Sequence, residues 1–445
     1  MNYNISPIDG RYKEQTEILG QYFSEFALFK YRLKVELLYF IELFKSGVIT
    51  DPLTSEQEKQ LHSLYQLFNE QDYLEIKEIE KTTRHDIKAL EYFIKSKIKP
   101  IGLNSFVEHV HFGLTSQDIN NTAIPLSLQD ANNQLIVPEV ISLCELIHNK
   151  GLEWKPVPML ARTHGQAASP TSMGKEFLVF SERLEKLSNQ LKEFAFEAKF
   201  GGATGSFNAH CVSYPHIEWR SWADRFVSQR LRLKRQHYTT QIAHYDDIAE
   251  YYQMIIRLNT ILIDLCRDVW TYISFDYFKQ EVIAGEVGSS AMPHKVNPID
   301  FENAEGNLGL STSIAQHFVE KLPISRLQRD LTDSTVLRNI GVPLAHSWIA
   351  FQSLRRGLNK IIINKEKINS DLNSQYIILA EAVQSILRKE KVENAYELLK
   401  QFTRGKNSIT KEEYLEYVRQ LPVSKNLIQQ FEELSPENYT GYSCK

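Results

Sequence analysis

Glycine and proline are scarce: 19 and 15 in a chain of 445 residues, about 8% together against roughly 12% in an average sequence. Neither occurs between Gly20 and Gly47, between Pro52 and Pro100, between Pro215 and Gly285, or between Gly357 and Gly405. A β-sandwich or barrel turns every 8–12 residues or so, usually at Gly or Pro, so these gaps exclude one and point to long helices. Cysteine is scarcer still. Cys144, Cys211, Cys266 and Cys444 form no CxxC pair, and no Cys/His spacing suits zinc, so neither a metal site nor a disulfide framework is expected. No run of 18 apolar residues exists to span a membrane. The start, MNYNISPIDGRYKEQ, lacks a basic stretch followed by an apolar one, so no signal peptide is expected and the setting is cytoplasmic. Charge of one sign is also missing: 51 Lys and Arg face 55 Asp and Glu, a net of −4. A generic nucleic-acid binder would carry a basic footprint. A local cationic pocket for a small anion stays open.

What the chain has is apolar material, 42% of residues with 11% aromatic, in helical rhythm. Phe23, Phe26, Phe29, Leu33, Leu37, Phe40 and Phe44 recur every three or four residues, predicting an amphipathic helix over 22–44. Residues 53–97 predict one or two more, with Thr54 and Ser55 as candidate caps. Long helices are expected over 117–150, 172–200 and 244–276. The last is apolar nearly all round, and Arg257, Asn259, Thr260, Asp264, Arg267, Asp268 and Thr271 supply its polar residues. A second subunit or a seam within the chain must meet them. One short strand is expected near Gln236–Ile242. The fold class is all-α, with an N-terminal domain over 1–110, a central bundle over 111–358 and a small C-terminal domain over 359–445.

Between the helices lie polar clusters. Thr82-Thr83-Arg84-His85-Asp86 is either a capped surface segment or an anion site. In the run from His109 through His111 and Gly113 to Asn121, Thr115 and Asp118 fit a capping box, and a free hydroxyl such as that of Ser116 at a helix N-terminus also suits a carboxylate or phosphate. Arg162-Thr163-His164-Gly165-Gln166 places a histidine in a tight turn, with Ser169-Pro170 opening a helix. Gly201-Gly202, Thr204-Gly205 and Asn208 form a flexible turn or a close backbone approach. The densest cluster is Gly285 to Pro298, a loop of two glycines and two prolines around Ser289, Ser290, His294, Lys295 and Asn297. Arg326 to Arg338, with Arg329 and Ser334, is either a salt-bridged helix face or a phosphate site, since Arg gives bidentate contacts and hydroxyls add donors.

GSSAMPHKVNP resembles the signature loop of the fumarase/aspartase superfamily of lyases. TTRHD, FGLTSQD, RTHGQ, TTQI and QRDLTDSTVLR are similar to the adenylosuccinate lyase family of purine biosynthesis, and the likeness runs from Arg11 to about Asn438. The resemblance implies an all-helical, three-domain subunit in a homotetramer whose sites draw on three subunits. It implies release of fumarate from adenylosuccinate, giving AMP, and from succinyl-aminoimidazole carboxamide ribotide, giving AICAR, with no cofactor and no metal. By the same resemblance Ser289 is the general base and His164 the general acid. Glu302 pairs with His164, and His85 and His111 bind or orient substrate. Thr115 and Ser116 hold a succinyl carboxylate, and Gln241, Ser290, Lys295, Asn297 and Asn303 complete its surroundings. Arg11, Tyr12, Arg84, Asp86, Arg329, Ser334 and Arg338 bind the nucleotide and its phosphate. Arg84 stands where some branches carry Asn.

The chemistry suits these residue types. Abstracting a proton beside a carboxylate places charge on it, which a lysine and a helix N-terminus stabilise. A histidine near neutral pH suits the acid, and His85 and His164 are both candidates from the sequence alone. Other lyases of the superfamily, such as argininosuccinate lyase or fumarase, act on substrates without phosphate, which leaves Arg329 and Arg338 unexplained. A helical structural protein without activity is expected to have lost Ser289, His164 or Lys295.

Overall fold

The computed structural model describes residues 3–281, 292, 296–406 and 408–445. Helices carry most of it. The strands among the described residues form three two-stranded sheets, so the all-helical expectation holds. The chain divides into two compact units. One comprises Met1–Glu139, Leu187–Thr260 and Gly306–Gln352, and the other Val140–Lys186, Ile261–Glu305 and Ser353–Lys445.

In the first unit, Ser24 caps helix Glu25–Lys45 by accepting from the Ala27 N–H at 3.1 Å. The predicted stripe is there, with Phe29, Leu33, Leu37, Phe40 and Phe44 buried. Tyr31, Val35, Leu38, Tyr39, Ile41 and Leu43 are buried too, so the helix is enclosed on nearly all sides rather than amphipathic. Each such side chain contributes about 1.5–3 kcal/mol when buried. Phe23 falls outside this helix, beyond the extended residue Ser24.

Residues 53–97 form three helices: Ser55–Gln66, Glu70–Thr83 and Asp86–Ile98. Thr54 and Gln57 make a capping box, Asn69 and Asp72 make another, and the His85 ring caps the third. Further on, Ser116–Ala131, the π-helical turn Asn132–Ile136 and Val137–Trp154 follow one another without a break.

The expected strand at Gln236–Ile242 is corrected. The strand is Lys234–Arg235, paired in parallel with Glu197–Ala198. After it the side chains take over the backbone groups. Gln236 Oε1 accepts from the His244 N–H at 3.0 Å, and Thr240 Oγ1 accepts from the Ile242 N–H at 3.4 Å. Such local bonds compete with a ladder.

In the second unit, Pro158–Thr163 and Gln166–Ser172 form an antiparallel hairpin. The expected helix start at Ser169-Pro170 is also corrected. The register shifts near these residues, and such a bulge in an edge strand tolerates the missing N–H of Pro170. The helix begins three residues later, at Met173, where Ser172 Oγ accepts from the Lys175 N–H at 3.0 Å. Trp154, Phe177 and Phe278 cluster with centroids 4.9–5.9 Å apart. The C-terminal helices Leu379–Lys389, Ala395–Thr403, Lys411–Arg419 and Lys425–Glu432 bury Val383, Leu387, Leu399, Val418 and Phe431 together.

Helix Asp246–Ser274 splits its polar residues in two ways. Asn259 is buried in an internal seam, donating to Ser311 Oγ at 2.9 Å and accepting from Ser347 Oγ at 3.0 Å. Gln253, Arg257, Thr260, Asp264 and Arg267, at steps of four and three, are exposed along one face. No helix among the described residues is long and apolar enough to cross a membrane.

Candidate active site

A cavity of about 530 Å³ lies within the first unit. Three segments far apart in sequence reach it: Arg84-His85-Asp86, Ser116 with Gln117 and Asn120, and Arg329 to Arg338 including Ser334. Phe23, Leu28 and Ile124 supply apolar wall.

Each segment is placed by identifiable contacts. Arg84 ends helix Glu70–Thr83 in the left-handed conformation, φ +52°. His85 opens the next helix, its Nδ1 accepting from the Lys88 N–H at 3.2 Å, so a neutral ring carries its proton on Nε2. Asp86 pairs with the buried Arg32 at 2.9 Å, and Arg32 Nε donates to Asn120 Oδ1 at 2.9 Å. Burial pushes the Asp86 carboxyl up, but the Arg32 guanidinium, the Ile87 N–H and His85 together hold it below its ordinary range.

Thr115 and Asp118 form the predicted capping box. Asp118 does more than cap. Its Oδ2 accepts from the Thr115 N–H at 2.8 Å. Its Oδ1 accepts from Lys199 Nζ at 2.8 Å and from the N–H groups of Gly201 and Gly202 at 2.8 and 3.1 Å. Both charged side chains are fully buried. The glycine-rich segment is therefore a clamp on the start of helix Ser116–Ala131.

Gly113 has φ +67°, and a Cβ there would come within 2.6 Å of His210. His210 Nε2 lies 3.1 Å from Tyr39 Oη, which donates to the Phe112 carbonyl at 2.8 Å. The histidine is thus the donor to Tyr39. Burial pulls it down to about 4, so it packs as a neutral ring.

Arg329 donates to Gln241 Oε1 at 3.1 Å and Ser334 Oγ at 3.3 Å, both neutral acceptors. Behind it runs a buried chain: Asn121 donates to Tyr245 Oη, and Tyr245 to Asp333, each at 2.8 Å. Arg338 stays 61% exposed, 3.9 Å from the already paired Asp86. The cavity's other carboxylates, Glu25 and Glu80, share Lys77 at 2.9 and 2.7 Å. The arginines Arg84, Arg329 and Arg338 thus leave the cavity cationic beside a helix N-terminus, an arrangement suited to a dianion.

Of the residues expected from the sequence, the cavity collects Arg84, His85, Asp86, Ser116, Arg329, Ser334 and Arg338. Gln241 accepts from the lining residue Arg329, and Thr115 directly precedes Ser116 and is bonded to Asp118. His111 is tied instead to Glu36 at 2.5 Å. Arg11 and Tyr12 lie elsewhere in the first unit, the guanidinium 6.0 Å from the Tyr12 ring centre. His164, Asn297, Glu302 and Asn303 belong to the second unit. His164 and Gly165, with φ +53° and +75°, form the two-residue turn of the hairpin, and the histidine is exposed. Within this chain Glu302 accepts from Trp270 Nε1 at 3.1 Å and is not bonded to His164, while Asn303 Oδ1 accepts from Ser353 at 2.8 Å. Ser289, Ser290 and Lys295 lie outside the described residues.

Arg32 was missed, and Gln117 and Asn120, inside the cluster that ends at Asn121, were given no role. Arg32 sits on the polar side of the predicted amphipathic helix, and its burial follows from the enclosure of that helix.

A lyase family model matches residues 10–310, and an adenylosuccinate lyase C-terminal model matches residues 325–440. The adenylosuccinate lyase of Dictyostelium discoideum is 51% identical over 448 residues, covering 98% of this chain and 96% of that one. The chain belongs to the adenylosuccinate lyase family. It is a lyase. The adenylosuccinate lyase of Escherichia coli strain K12 is 42% identical over 440 residues, with 98% and 96% covered. Among solved structures, a 3-carboxy-cis,cis-muconate lactonizing enzyme from Pseudomonas putida matches with a TM-score of 0.76 at 19% identity, covering 96% of this chain and 94% of that one. A fumarate lyase from Mesorhizobium sp. BNC1 matches with 0.74 at 17%, covering 96% of each. At such identities these structures share the fold with the adenylosuccinate lyase family.

Proposed function

We propose that the chain eliminates fumarate from adenylosuccinate, leaving AMP, and from succinyl-aminoimidazole carboxamide ribotide, leaving AICAR. The observation that carries this reading is the cationic cavity, where Arg84, Arg329 and Arg338 stand beside the capped N-terminus of helix Ser116–Ala131. The arginines with Ser334 receive the nucleotide phosphate. Thr115 and Ser116 receive a succinyl carboxylate, whose negative charge grows as the adjacent carbon loses its proton.

Ser289 takes that proton, with Lys295 stabilising the alkoxide, and His164 protonates the departing nitrogen. Ser290, Asn297 and Asn303 complete the succinyl side, and Arg11, Tyr12 and Asp86 the nucleotide side. The working enzyme is a homotetramer in the cytoplasm, its sites assembled from three subunits. In that assembly His164 meets Glu302 of another copy.

Mixing the purified protein with adenylosuccinate tests the reading. The ultraviolet spectrum shifts to that of AMP and fumarate appears in equal amount; no shift with either substrate refutes it. A Ser289→Ala variant with near-parental turnover removes Ser289 from the role of base.

A further inference from the structure

Glu36 lies on helix Glu25–Lys45 and is 1% exposed. A carboxylate that far from water needs a cation or several donors. Three carboxylates act on His111, namely Glu36, Glu91 and Asp118, each from a different helix. Asp118 is neutralised by Lys199, and Glu91 by Lys88 and Lys95. Among the described residues Glu36 has only the His111 ring, at 2.5 Å from Nδ1, and its Oε2 has no partner. His111 holds the left-handed backbone at φ +60°, which fixes where the ring leaves the chain. The ring keeps 15% of its surface exposed.

We propose that Glu36 is a positioning residue for the elimination, holding His111 by Nδ1 as a fixed cationic donor whose Nε2–H serves the substrate's carboxylates. This rests on the proposed reading, in which the neighbouring Thr115 and Ser116 receive the succinyl group. The electrostatics agree. Burial alone pushes His111 below its ordinary range, but the Glu36 charge and hydrogen bond, with Glu91 and Asp118, carry it above. A carboxylate on one ring nitrogen also fixes the orientation of the other.

The test is Glu36→Gln, which keeps the shape and removes the charge. In enzyme labelled with ¹³C in its histidine rings, the His111 signal is assigned by its loss in His111→Gln. In the parent it titrates above about pH 6.5, the ordinary histidine value. In Glu36→Gln it should titrate at least one pH unit lower than in the parent. With adenylosuccinate at pH 8, KM should rise about tenfold, equivalent to about 1.4 kcal/mol, with kcat changed less than threefold and much of the loss recovered at pH 6. Glu36→Asp keeps the charge and should retain the parental pH profile, which covers the case that the glutamine variant folds poorly. A His111 titration unmoved by Glu36→Gln, or a loss equal at every pH, overturns the inference. If the parent releases no fumarate, the functional reading falls, and the titration still decides the pairing.

Discussion

Replacing Lys199 by methionine removes one half of a fully buried ion pair and leaves the other half in place. Asp118 would keep the N–H groups of Thr115, Gly201 and Gly202 but lose the lysine cation bonded to it. The Gly202 carbonyl would lose the Lys199 donor, now at 2.5 Å. Breaking a buried pair from one side costs about 3–5 kcal/mol. Three remaining donors place this case near the lower end, about 3 kcal/mol. At roughly 2 °C per kcal/mol for a unit of this size, the thermal midpoint falls by about 6 °C or more. The exposed pair of Lys81 with Glu78, at 2.5 Å and over 70% exposed on both sides, is the control. Lys81→Met should cost well under 1 kcal/mol. Scanning calorimetry and a urea titration of parent and variants measure both. A Lys199→Met midpoint within 2 °C of the parent would show that the backbone donors alone hold the carboxylate, and the clamp argument would fail.

Two other outcomes follow from buried or cavity-lining groups. Burial pushes the Asp247 carboxyl up to about 6 from an ordinary 3.8, against the Glu197 N–H that it accepts at 2.9 Å. The folded chain therefore binds this proton more tightly than the unfolded chain, and the associated stability is present at acid pH and lost as pH rises from 4 through 6. Asp247→Asn should match the parent near pH 4 and exceed it above pH 6 by up to about 3 kcal/mol, from a gap of about two pH units at about 1.4 kcal/mol each; equal urea midpoints at pH 8 refute this. Arg329→Met removes charged donors worth about 1.5–3 kcal/mol. KM for adenylosuccinate should rise about 10- to 100-fold, and an unchanged KM in steady-state assays would take Arg329 out of the phosphate site.

Much of this was legible from residue order because local chemistry decided it. Thr54, Thr115 with Asp118, and the long intervals without Gly or Pro all act within a few residues, and the helices formed there. The errors arose where distant contacts decide. Nothing local shows that Glu25–Lys45 is enclosed, so Arg32, which lies off the apolar stripe, was not singled out and its role beside Asp86 was missed. Pro170 after a serine looked like a helix start because the bulge that accommodates it depends on the partner strand. Gly201 to Gly205 was left between a flexible turn and a close backbone approach, because its partner, Asp118, is more than 80 residues away. The cavity residues were recognised as chemistry-bearing types and the resemblance grouped several of them, but residue spacing alone does not bring the 84–86, 116 and 329–338 segments to one cavity.

Arg84, His111 and His164 all hold left-handed backbone, a conformation that costs most side chains about 1–2 kcal/mol relative to glycine. Each is also a candidate for substrate contact. Glycine or asparagine at these positions would relieve the backbone, so they are where a chain selected only for heat tolerance would drift first. If His111 and His164 serve the substrate as proposed, turnover and thermal resilience pull in opposite directions at those two residues. A library screened for melting temperature alone would accumulate replacements at the two histidines, and assaying its members for fumarate release would show what each exchange costs.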